Sequence, residues 1–112
     1  MLIMNVTAWN NGAFHSTGSG YGLKISIPDR DRFFKREWKF IQLEIEGLPS
    51  AIKVNVDKES FWNETCRELI SAEIGKWLLQ TGLAPWSKGN PPKLVMEHIA
   101  DNRFLLKRKS NG

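Results

Sequence analysis

Residues that carry chemistry are scarce in this chain. It has one cysteine, Cys66, which rules out a disulfide framework and a cysteine-based metal site. Its two histidines, His15 and His98, form no i, i+4 pair. Neither a nucleophile elbow nor a phosphate-binding Walker loop is present. An enzyme would need Glu73 to meet His15 or His98 in a cleft, and nothing in their spacing or neighbours resembles a catalytic set, so the sequence weighs against catalysis and no cofactor is expected. No apolar run approaches the roughly 20 residues needed to cross a bilayer. The stretch Met1–Ala8 is too short for a secretory h-region and lacks basic residues before it. With a free thiol, these absences point to a cytoplasmic protein without membrane association. Internal repeats and low-complexity tracts are also missing.

What remains suits a compact fold. The chain has 112 residues, 41% apolar and 25% charged, which predicts a single domain over 1–112 with a real core. The net charge of +4 fits an anionic partner. Five tryptophans are many for this length; indoles serve as core, as interface anchors or as base-stacking platforms.

The longest helical pattern runs over Ser60–Thr81. Trp62, Cys66, Leu69, Ile70, Ile74 and Trp77 recur at three- and four-residue steps, one face of a 3.6-residue period. Asp57 or Ser60 is a candidate N-cap, while Gly82 and Pro85 stop the pattern. Gly75 inside it suggests a close approach to a strand. Glu73 projects on the apolar side, which makes it either a stripe-edge residue paired with an Arg, a Lys or an indole N–H, or a candidate partly buried carboxylate lining a pocket.

Around this helix the sequence reads as strands. Residues 2–9 are rich in β-branched and apolar side chains. Residues 22–28, 40–46 and 51–56 alternate apolar and polar positions, and 93–99 with 103–108 form a last hairpin. The expected fold is α+β: a curved antiparallel sheet or partial barrel, order β-β-β-β-α-β-β, packed on one long helix (60–81). A basic tail over about 108–112 is expected to fray.

Three connections invite a functional reading. The glycine-rich stretch 10–20 leads into a strand, not a helix N-terminus, which argues against a nucleotide loop; His15 and Tyr21 flank it. The connector 29–39 interleaves Arg30, Arg32, Lys35, Arg36 and Lys39 with Phe33, Phe34 and Trp38, as a phosphate-facing patch would. It also carries Asp29, Asp31 and Glu37, so a solvated connector is the bland alternative. Trp86, in the proline-rich stretch 82–92, is either a plug or an exposed contact residue.

The succession LKISIP, a short connector, LEIEG and AIKVNV over residues 22–56 resembles the strand–Ile-Pro–short helix–strand–strand unit of cradle-loop barrels, found in AbrB-type regulators and DNA-binding pseudobarrels. Where AbrB-type proteins carry a Gly-Asp turn, this chain has Arg36, Glu37, Trp38 and Lys39. The resemblance implies DNA contacts near the strand–helix junction, at Lys24, Arg30, Arg32, Lys35 and Arg36. The expectation is therefore a small nucleic-acid-binding module using Lys24, Arg30, Arg32, Lys35, Arg36 and Lys39, with His15, Tyr21 or Trp38 near bases. The alternative is a non-enzymatic protein-interaction or assembly module with a protein partner, or a homodimer.

Overall fold

Alternating apolar residues dominate the chain, and the computed structural model, which describes residues 2–109, joins them into one seven-stranded sheet with three short helices. The expected fraying of residues 110–112 lies outside the described residues. In chain order the elements are β1 (Ile3–Asn10), β2 (Tyr21–Lys24), α1 (Ile27–Phe33), β3 (Phe40–Ile45) and β4 (Ile52–Asn55). Then come α2 (Glu59–Trp62), β5 (Glu68–Ile70), α3 (Ala72–Gln80), β6 (Lys93–Ala100) and β7 (Arg103–Arg108).

The strands lie in the order β4-β3-β7-β6-β1-β2-β5. All neighbours are antiparallel except β3 and β7, which run parallel. The sheet is therefore mixed, where a wholly antiparallel one was expected. The outermost strands β4 and β5 approach one another, so the sheet curls into a nearly closed barrel. Closure follows from the period-two pattern: Met4, Val6, Ala8, Leu23, Ile41, Leu43, Ile45, Val54, Leu94, Met96, Phe104 and Leu106 are all buried. A curled sheet is the way one apolar face can bury itself while the outer positions stay polar.

The single long helix is not formed, and the element order differs accordingly. Residues 60–81 split into α2, a turn, β5 and α3. The break begins at Asn63, whose side-chain oxygen accepts the backbone N–H groups of Thr65 (3.0 Å) and Cys66 (2.7 Å). Such Asx bonds compete directly with helical ones. Arg67 then takes a left-handed φ of 61°, held by a bond from its Nε to the Ile25 carbonyl at 2.8 Å. Glu68–Ile70 extend along β2, pairing Leu69 with Leu23. Helix resumes at Ser71, whose hydroxyl caps the Glu73 N–H at 3.2 Å, and ends at Thr81, followed by Gly82 with φ 77°. The two-residue apolar run Leu69-Ile70 satisfies helix and strand periods alike, and the open flank of β2 selected strand.

The strand expected over 22–28 is also shorter. It stops at Lys24, and the Ser26 hydroxyl caps α1 by accepting the Asp29 N–H at 3.3 Å. Pro28 fits because its missing N–H falls in the first helical turn.

Register defines two ends of the barrel. Asn10 pairs with Tyr21, Thr7 with Lys93, and Leu94 with Arg108. The loop 11–20, the strap 81–92 and the end of β7 therefore share one end, here called upper. α3 crosses it: the Ser71 N–H bonds the Tyr21 carbonyl, and the Trp77 indole N–H bonds the Glu46 carbonyl at 3.0 Å, just past β3. The lower end holds α1, the connector 34–39 and α2. There Phe34 stacks on Phe104, centroids 4.8 Å apart, and meets Phe61 at 5.1 Å.

Candidate functional site

The cations singled out in the sequence lie at the lower end or on the barrel flank, and packing engages several of them. Arg30 is only 6% exposed. Its Nη1 donates to the carbonyls of Phe61 (3.1 Å) and Asn63 (2.7 Å), and its Nε to Asp31 at 3.1 Å. It ties α1 to α2 and does not present its guanidinium to solvent. Lys24 donates to the Thr65 carbonyl at 3.0 Å and lies 3.7 Å from the buried Glu68 carboxylate. Arg36 lies over the Trp62 ring at 5.1 Å, with Arg30 over the same indole at 5.3 Å. Arg32 lies 5.0 Å from the Phe33 ring centre. Lys35 and Lys39 are exposed, beside exposed Glu37, Glu59 and Glu64. Burial lowers the pKa of Lys58 at this end, with Glu68 and Cys66 acting in the opposite direction.

The aromatic residues of the connector face inward. Phe33 and Phe34 are buried, and Trp38 is half-buried against Phe34 and Phe104. The cations of the lower end thus sit beside half-buried Trp38 and Trp62, and Arg30 and Arg36 lie over the Trp62 ring. His15 is exposed on the loop. Glu73 corrects the expectation of a buried carboxylate: it is exposed in the first turn of α3 and pairs with Lys76 at 3.5 Å. With α3 beginning only at Ser71, the helical phase that placed Glu73 against the apolar stripe does not exist.

The upper end is different. Two loops, 11–20 and 84–92, meet over the ends of β1 and β2. The first is pinned by backbone contact. Gly18, with φ 84°, sits so close to α3 that a Cβ there would lie 2.3 Å from the Ala72 carbonyl, and one on Gly75 would lie 2.2 Å from the Gly18 carbonyl. The glycines serve this packing. The second loop is held by a cis bond at Ala84-Pro85 and by the Ala8 N–H bonding the Pro92 carbonyl at 2.9 Å.

Between the loops lies a cleft of about 590 Å³, lined in part by Trp9, Asn10, Phe14, Trp86, Lys88 and Pro91. The Phe14 and Trp86 rings meet edge to face, centroids 5.2 Å apart. Beneath them Tyr21 touches both, at 5.8 Å and 5.9 Å. Tyr21 is therefore not open for stacking: it is 0% exposed, and burial raises the pKa of its phenol. On the other side of the strap a second hollow is lined by Leu83, Pro92, Lys93, Arg108 and Lys109. Among the described residues no carboxylate lines either hollow. Among the described residues Lys88, Lys93, Arg108 and Lys109 form no ion pair. The nearby Glu46 accepts the Arg108 backbone N–H at 3.3 Å.

An open apolar cleft with three aromatic walls and a lysine in its lining has the shape and polarity to receive a flat ring. Among the described residues no cluster of three His, Cys, Asp or Glu could hold a metal ion, and no helix is long and apolar enough to cross a membrane. Trp9, Phe14, Lys88 and Lys93 were not singled out by sequence reading. Their one local signal is aromatic residues flanking two Gly- and Pro-rich loops; the β1–β6 pairing that brings those loops together is long-range. No protein-family model matches the chain, and no curated protein or solved structure matches it either.

Proposed function

We propose that this is a small nucleic-acid-binding module whose working face is the upper end of the barrel, and that it takes single strands. The observation that carries the reading is the Trp9–Phe14–Trp86 cleft beside Lys88, Lys93, Arg108 and Lys109, with no carboxylate in its lining among the described residues. Single-strand binders pair stacking platforms with a cationic track for the backbone. A base pair is too wide and too fully stacked to present one ring to a cleft of this size, whereas an unstacked base fits.

The test is a fluorescence titration with a mixed-sequence single-stranded oligonucleotide, since stacking on indoles quenches them. Neutralising about four phosphates predicts a log–log salt slope of about −3, so a fourfold rise in salt weakens binding by roughly 50-fold. Lys88→Ala, at an exposed loop position, is expected to reduce that slope by roughly 0.7. Salt-independent binding, or none, defeats the reading.

The second reading is a protein-interaction or assembly module, or a homodimer. Leu2, Ile3 and Ile99 favour it: they are large, exposed and apolar, and grouped at the lower end, where the His98 N–H bonds the Leu2 carbonyl. A stable dimer by light scattering, with no nucleic-acid binding, would favour that reading instead. The run β2–α1–β3–β4, with Ile27-Pro28 opening α1, supports taking residues 22–56 as a unit of the cradle-loop kind.

A further inference from the structure

Among the described residues, the Tyr21 hydroxyl is a buried side-chain polar atom without a hydrogen-bond partner. Nearly all buried polar groups in folded proteins are paired, so an orphan calls for a reason. A phenylalanine would fill the same space without that penalty. The surroundings of Tyr21 supply a reason. Its ring lies directly beneath Phe14 and Trp86, two of the three aromatic walls of the cleft. Phe14 packs on its ring at 5.8 Å while remaining 44% exposed itself. Phe14 is not among the buried core residues, so a ligand that displaced it would meet the Tyr21 ring beneath.

We propose that Tyr21 is the specificity-determining residue of the cleft: its hydroxyl donates a hydrogen bond to a carbonyl oxygen of an unstacked nucleobase that displaces Phe14 and stacks on Trp86. The inference rests on the nucleic-acid reading above and deepens it. Burial keeps the phenol protonated, so at neutral pH it is available as a donor. Thymine and uracil offer carbonyl oxygens at their exposed edge; adenine has none. The cleft should then prefer oligothymidylate over oligoadenylate.

The experiment compares wild-type protein, Tyr21→Phe and Lys88→Ala in binding both homopolymers, with thermal unfolding of each protein alone. Wild type is expected to bind oligothymidylate at least about fivefold more tightly, the scale of one hydrogen bond. Tyr21→Phe should abolish that preference while raising the melting temperature, because it removes an unsatisfied buried group. Lys88→Ala should weaken both homopolymers equally and keep the preference. If Tyr21→Phe keeps the preference, or lowers the melting temperature, the proposal is overturned, because the hydroxyl then has no part in recognition or already has a partner within the fold. If wild type binds neither homopolymer, the nucleic-acid reading itself fails. Binding of both without preference in wild type overturns the role of Tyr21 alone.

Discussion

Gly75→Ala is expected to destabilise the protein by about 3 kcal/mol, near the upper end of what an overpacked site costs. Helix propensity alone predicts the opposite sign, since alanine gains about 1 kcal/mol over glycine in a helix interior. Contact decides between them. A Cβ on Gly75 would stand 2.2 Å from the Gly18 carbonyl oxygen and 2.6 Å from its Cα, and both obstacles are main chain. The side chain cannot swing away, so either α3 lifts from β2 or the 11–20 loop is pushed off α3. Chemical denaturation should show a lower midpoint. The loop forms one wall of the cleft, so the variant should also lose binding when folded. An unchanged or higher midpoint would mean that loop and helix do not touch as described.

Arg30→Met is expected to cost a similar amount, about 3 kcal/mol. Methionine keeps most of the aliphatic bulk, so the loss isolates the guanidinium. Two carbonyls at the α1–α2 junction, those of Phe61 and Asn63, lose their charged donor. The buried Phe61 acceptor, left unpaired, costs about 1–3 kcal/mol, and the part-buried Asn63 acceptor adds less because water can reach it. The Asp31 contribution is small, because that carboxylate is exposed. Lys35→Ala and Lys39→Ala, at exposed positions nearby, should stay within about 0.5 kcal/mol of wild type. Equilibrium unfolding of the three variants separates a structural arginine from its solvated neighbours. Equal effects on stability would contradict this assignment.

These two positions also show how far the sequence could be read. Strands β3 and β4 were legible because Ile41, Leu43 and Ile45, or Ile52 and Val54, repeat at the period of a half-buried strand, and β1, β6 and β7 from their apolar and β-branched content between turn residues. Gly75 was legible as a close approach, although its partner is Gly18 on a loop and not a strand. The long helix was misread because Leu69, Ile70 and Ile74 fit the helical period. The deciding facts were the bonds of Asn63 to its own chain and the unpaired flank of β2, one local and easily outweighed, the other long-range. Arg30 looked like its neighbours because charge is visible in a sequence and burial of a guanidinium is not. The cleft was illegible for the same reason as the parallel pairing of β3 with β7. Trp9 and Trp86 line one cleft only once β1 and β6 have paired.

The central claim is that the upper end, and not the connector, is the working face. Backbone amide shifts of labelled protein, followed by NMR during addition of unlabelled oligothymidylate, test it residue by residue. The predicted result is a cluster of changes over residues 9–21, 84–93 and 107–109, with little at 30–39. Changes concentrated at Lys35, Arg36 and Lys39, with the cleft silent, would contradict it.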